Sequence, residues 1–231
     1  SASMPLPSFT LSLKATEAEW HGLALSDASC TLKGSTNGFE LTRLSFGLGN
    51  GRVRASGESL LPNGAWACEG RARNIDASQV LATLGLPKGI AGTATLEWEL
   101  AARSKEWAEL ARSIHGEGTL TLSGGRVPAL KHIFPASSTK GISSLEASFA
   151  LHQGACTLKA GLTAEDKTTG QVQATINLAD GRLEGQASLK TGKKDISYGL
   201  AGSLANISVS PKPIPAKTGS RKRDGHAERK N

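Results

Sequence analysis

From Phe9 onward apolar and polar residues alternate with a period of two, and glycine, asparagine or proline interrupts the beat at short intervals. Phe9, Leu11 and Leu13 against Thr10, Ser12 and Lys14 predict a first strand; Leu23, Leu25, Cys30 and Leu32 predict a second. Asn37-Gly38 and Asn50-Gly51 predict two-residue hairpin turns, because both residue types accept positive φ. Between them the phase changes from odd (Phe39, Leu41) to even (Leu44, Phe46, Leu48), which requires a bulge or bend near Arg43. Val53 to Gly57 and Trp66 to Ala72 continue the pattern, with Pro62-Asn63-Gly64 turning the chain between them. Gly92, Ala94, Leu96, Trp98 and Leu100 against Thr93, Thr95, Glu97 and Glu99 give the clearest alternation, and Ile114 to Leu122 repeats it. Five more strands follow at close spacing, over 145–151, 156–162, 172–178, 183–189 and 198–204, the last trailing into Ile207 and Val209. Connections this short make sequence neighbours pair antiparallel, as a meander.

Three stretches break the period of two. Ala77, Val80, Leu81 and Leu84 fall at helical spacing behind Asp76 as N-cap, with Gly85 and Pro87 as the stop. Ser104 caps a second predicted helix in which Trp107, Leu110, Ala111 and Ile114 share a face. Pro128 opens a third, to Phe134, after the Ser123-Gly124-Gly125 turn.

Charge changes the picture once it is divided. The chain has 231 residues and a formal charge of +7, but residues 211–231 hold seven basic against two acidic residues, which leaves only +2 for residues 1–210. A nucleic-acid-binding domain carries its positive stripe on the folded body, so this distribution argues against a nucleic-acid partner. The tail, with too little apolar surface to offset its ordering cost, is expected to be disordered. Its Arg221, Lys222 and Arg223 could touch an anionic membrane surface, at about 1 kcal/mol per basic residue. Hydrophobic residues make up 38% of the chain, which excludes wholesale disorder of the remainder. No apolar run is long enough for a membrane helix, and the chain reads as soluble; Ser1 stands where an initiator methionine would, which leaves the chain open to being an excised piece of a longer protein.

Chemistry is sought and mostly not found. Cys30, Cys68 and Cys156 are widely spaced and in phase with apolar neighbours, as buried thiols are, and a single disulfide would leave one over. His21, His115, His132, His152 and His226 lack metal-ligand spacing, so neither metal nor cofactor is expected. Glu97 and Glu99 share a face as an acid–base pair would, but with Thr93 and Thr95 they read better as a solvated outer face. Trp66, Trp98 and Trp107 could stack on sugars, yet their aliphatic neighbours favour packing. The expectation is a protein without catalysis.

One pattern carries a family resemblance. A short helix over 107–114, then Gly116-x-Gly118-x-Leu120-x-Leu122, the Gly125-Arg126-Val127 turn and a short helix over 128–134 resemble the C-terminal region of AsmA-type proteins. Asn74-Ile75-Asp76, Ile90-Ala91-Gly92 and Ser148-Phe149-Ala150 extend the likeness over roughly residues 50–210. Those are bacterial envelope proteins anchored in the inner membrane. The resemblance implies one AsmA-like domain over 1–210, with 1–60 open to being the end of a preceding β repeat and 211–231 as the tail. It also implies a periplasmic location, a membrane anchor upstream, and a role in phospholipid transport or outer-membrane biogenesis.

The dry faces of about a dozen one-sided strands need cover, and three short helices cannot supply it. Periodicity leaves a sandwich, a barrel and an open groove as alternatives. The resemblance implies a sheet curled into a groove or partly open barrel whose interior takes phospholipid acyl chains. Leu96, Trp98, Leu100, Leu120, Leu122, Phe149 and Leu158 are the expected lipid-contacting residues. A structural or partner-binding module, docking other envelope proteins at a sheet edge without lipid, is the alternative.

Overall fold

The computed structural model describes residues 7–20, 22–60, 64–83, 91–104, 109, 112–126, 141–165, 167–192, 194–203 and 206–212. They form thirteen strands: β1 Phe9–Trp20, β2 Leu23–Ser35, β3 Gly38–Leu48, β4 Gly51–Leu60, β5 Ala65–Asp76, β6 Ala91–Arg103, β7 His115–Arg126, β8 Ile142–His152, β9 Ala155–Ala164, β10 Thr169–Asn177, β11 Arg182–Thr191, β12 Lys194–Ser203 and β13 Asn206–Lys212. All belong to one sheet whose spatial order is the sequence order, and every neighbouring pair is antiparallel. At about 4.8 Å per strand the sheet is roughly 55–60 Å across. Among the described residues β1 and β13 are unpaired edges, so the sheet is open; the closed alternatives, barrel and sandwich, are not what these residues form.

Register turns the alternation into two continuous faces, because residues directly opposite in an antiparallel pair project to the same side. One row runs through Leu13, Cys30, Leu44, Ala55, Gly70, Trp98, Gly118, Phe149, Leu158, Ala174, Gly185, Leu200 and Val209, one residue from each strand. None of the thirteen is polar. A parallel row beside it, Phe46, Val53, Ala72, Leu96, Leu120, Ala147, Ala160, Val172, Ala187 and Tyr198, is equally apolar until the Tyr198 hydroxyl. On the other side Ser45, Arg54, Arg71, Glu97, Thr119, Ser148, Lys159, Gln173 and Gln186 form a polar row.

Bulges keep the faces in phase where the sequence slips. β3 carries one extra residue between Leu41 and Leu44, where the change of phase predicts it. β2 and β5 carry others, at Asp27 (φ 48°) and Asn74 (φ 55°), both in the left-handed region that short polar side chains tolerate. The hairpins fall where expected, but their loops are displaced by one residue. Ser35 pairs with Gly38 and Leu48 with Gly51, so the loops are Thr36-Asn37 and Gly49-Asn50, with Gly49 at φ 56° supplying the positive angle.

The helix α1, Ala77–Thr83, lies against β2, β5 and β6. Asp76 caps it: its Oδ1 accepts bonds from the Ser78 amide at 2.9 Å and the Ser78 hydroxyl at 2.6 Å. These bonds, the hydroxyl first, hold the Asp76 carboxyl below its ordinary pKa. Under α1 the buried Leu23, Leu48, Ala72 and Ile75 form one core cluster with Phe46, Val53, Val80, Leu96 and Trp98 at its margin. Two more clusters sit in the C-terminal half, around Ile142, Leu162, Ala164 and Leu189, and around Ala174, Leu183, Ala187 and Leu200.

Several expectations need correction or fall elsewhere. Among the described residues α1 is the one complete helix; of the predicted second, residues 109, 112 and 113 are helical, and the third, over 128–134, lies outside the described residues. The stretch trailing into Ile207 and Val209 is a strand of its own, β13, returning along β12. A disulfide is excluded within the chain: the cysteines lie on β2, β5 and β9, at least three strands or about 14 Å apart, and a bridge needs Cα atoms within roughly 7 Å. All three thiols are free, and burial raises the pKa of Cys156.

Candidate functional site

The seven residues expected to contact lipid come from four adjacent strands, and the register gathers them on the apolar face. Leu96, Trp98 and Leu100 are on β6, Leu120 and Leu122 on β7, Phe149 on β8 and Leu158 on β9. Trp98, Phe149 and Leu158 belong to the thirteen-residue row, and Leu96 faces Leu120 in the row beside it. Leu122 is buried and the other six are half-buried. They occupy the middle strands of the sheet: Leu96 and Trp98 border the cluster under α1, and β8 and β9 also carry Ile142 and Leu162 of a C-terminal cluster. No described element other than α1 packs on this face.

Glycines shape the surface as much as the large residues do. A Cβ on Gly70 would collide with the Trp98 ring, and one on Gly118 with the Phe149 ring and the Glu97 carbonyl. The two rings therefore lie over glycines in the neighbouring strand instead of standing upright. Laid flat, they cover backbone that a bare glycine would expose, and the face between β5 and β9 stays level. Trp66 pairs with Ala102 on the same apolar side, so Trp66 and Trp98 serve the dry face rather than presenting rings to a polar sugar; Trp107 lies outside the described residues.

The polar face is built differently. Its hollows, of about 830 and 980 Å³, lie among long charged and amide side chains, the larger one between Arg43, Arg54 and Arg71 on one flank and Glu69, Glu99 and Glu117 on the other. Like charges stand directly opposite one another: Arg52 faces Arg73, Arg54 faces Arg71, and Glu69 faces Glu99, which faces Glu117. Arg71 also reaches Glu97 at 3.5 Å and Arg52 reaches Asp27 at 3.8 Å, both as exposed pairs. Such pairs contribute about 0–1 kcal/mol. Glu97 is thus in an exposed ion pair with Arg71, while Glu99 faces Glu69 and Glu117 across the neighbouring strands, on the same polar face. His115 points its Nδ1 at the Ser113 carbonyl, 3.2 Å away. Among the described residues no three metal-binding side chains converge. Arg221, Lys222 and Arg223 lie outside the described residues.

What the chain offers is therefore a surface: an unbroken hydrocarbon face with no dedicated polar contact at its centre. No helix of the described residues is long and apolar enough to cross a membrane. No protein-family model matches the chain, and no match was found among curated proteins or solved structures.

Proposed function

We propose that this chain is a non-catalytic envelope protein that binds or conducts phospholipid, with acyl chains lying on the apolar face between β6 and β9. The observation that supports it is the row of thirteen apolar residues crossing thirteen strands, half-buried at its middle under no described element. Water against such a face is costly. A methylene group fully removed from water gains about 0.8 kcal/mol, so a chain covered on one side gains roughly half that per carbon, several kcal/mol for a fatty acyl tail. Nothing polar is needed at the centre, so the gain is indifferent to the headgroup. The resemblance to AsmA-type proteins supports the same reading and supplies its setting: the periplasmic side of the bacterial inner membrane, and outer-membrane biogenesis.

The test is uptake of a fluorescent acyl probe, with native mass spectrometry of the purified chain for co-purifying phospholipid. Leu120→Asp puts a charge on the apolar face and is expected to weaken probe binding at least tenfold. Thr119→Asp, one residue away on the polar face, is expected to leave it unchanged, and circular dichroism checks that both variants fold. A wild-type chain that carries no lipid and takes up no probe overturns the proposal.

A further inference from the structure

A block of positive charge lies within the sheet, on the polar face of β3, β4 and β5. Arg52 stands directly opposite Arg73 and Arg54 directly opposite Arg71, so four arginines mark the corners of a rectangle of about 5 Å by 7 Å. Arg43, on β3, lines the same hollow as Arg54 and Arg71. All five residues are exposed. Two of them hold a carboxylate: Arg52 reaches Asp27 at 3.8 Å and Arg71 reaches Glu97 at 3.5 Å. Arg43, Arg54 and Arg73 have no ion pair or side-chain hydrogen bond among the described residues.

A buried hydroxyl stands inside this block. Ser45 pairs with Arg54 across β3 and β4, follows Arg43 by two positions, and precedes by two the Gly47 that faces Arg52. It is 1% exposed, and its Oγ has no hydrogen-bond partner among the described residues. Hydroxyls left buried and unpaired are costly, and folded proteins keep few of them. Like charges set directly opposite one another are unfavourable as well. An anion among the guanidinium groups, with one oxygen accepting from the Ser45 hydroxyl, relieves both.

The surroundings narrow the choice of anion. Guanidinium forks match phosphate oxygens two at a time, and three unpartnered arginines exceed what a single carboxylate can engage. An extended polyanion does not fit. One step along the same strands runs the row Glu69, Glu99 and Glu117, which repels any charge continuing past the block.

We infer that the arginine block binds one compact phosphate group, held by Arg43, Arg54 and Arg71, flanked by Arg52 and Arg73, and hydrogen-bonded by Ser45. Inorganic phosphate and the phosphomonoester of a lipid headgroup share this chemistry. The block is on the opposite side of the sheet from the apolar face, so the inference does not rest on acyl-chain binding.

Two arms separate the sources: calorimetric titration with inorganic phosphate, and co-sedimentation with phosphatidylcholine vesicles that contain phosphatidic acid, against phosphatidylcholine alone. The wild-type chain is expected to bind in at least one arm, more weakly as salt rises. Arg54→Gln is expected to weaken that binding about tenfold and Ser45→Ala severalfold. Arg182→Gln, the same charge change on β11, is expected to leave it unchanged. Arg54 and Arg182 are exposed, so neither exchange threatens the fold. Ser45→Ala removes an unpaired hydroxyl and is expected to keep the wild-type urea midpoint or raise it, which separates lost binding from lost folding. A chain that binds neither phosphate nor phosphatidate vesicles overturns the inference. So does binding that survives Arg54→Gln, or that Arg182→Gln weakens equally, as diffuse attraction to net charge would give.

Discussion

Across one face thirteen residues from thirteen strands meet without a polar group. One position along each strand, the other face sets Arg54 against Arg71 and Glu69 against Glu99 against Glu117. The same backbone therefore enforces complementarity on one side and tolerates repulsion on the other. The difference lies in the solvent. Like charges on an exposed face are screened by water and salt at separations near a Debye length and weakened by high dielectric when closer, whereas a single polar group on the dry face would lose its hydration with no partner in reach. Register is thus fixed from the apolar side: a slip of one residue would turn Leu96, Trp98 and Leu100 outward together.

The comparison can be broken most severely in the clusters. Leu162→Ala, within the group of Ile142, Ala164 and Leu189, is expected to destabilise by about 2–4 kcal/mol, while Gln173→Ala on the opposite face stays within roughly 0.5 kcal/mol. Urea midpoints of the two variants, at unchanged slope, measure the contrast. The cap of α1 comes next: Asp76→Ala is expected to cost about 1 kcal/mol. Because the folded carboxyl titrates below its ordinary value of 3.8, its contribution is complete above that pH and is lost as pH falls through the folded value. Acid unfolding should therefore narrow the gap between wild type and Asp76→Ala, and a gap that widens in acid would contradict the cap. The smallest effect sharpens the polar side. Glu99→Gln removes the central charge of three and is expected to stabilise by a few tenths of a kcal/mol, a gain that shrinks in high salt.

Much of the architecture is legible in the sequence because period-two alternation is a local signal. The strands from Trp66 to Ala72 and from Gly92 to Leu100 are in place, as are the Asp76 cap and the bulge before Leu44. What misled was also local. Asn-Gly pairs point to a turn, but the loop closes one residue earlier at both hairpins, because Gly38 and Gly51 are already in the ladder. β13 was hidden because Leu200, Ile207 and Val209 carry the apolar pattern without a strong turn signal between them, and Gly202, at φ 120°, is the one cue. The shared face of the seven candidate residues follows from alternation plus antiparallel pairing of neighbours. The resting of Trp98 on Gly70 does not, since it depends on which residues register sets opposite, and that is settled across strands.

The strictly sequential strand order has a consequence for how the protein comes apart and is put together. Among the described residues every strand pairs only with its immediate neighbours, α1 alone bridging β2, β5 and β6, so contact order is low for a β protein and ordering can spread from hairpin to hairpin along the chain. Loss of the hairpin of β12 and β13 uncovers only β11, whereas loss of β1 and β2 also uncovers α1. Unfolding should therefore fray inward from both ends, and adding or deleting a pair of strands would lengthen or shorten the same ribbon by about 10 Å without redesigning the rest.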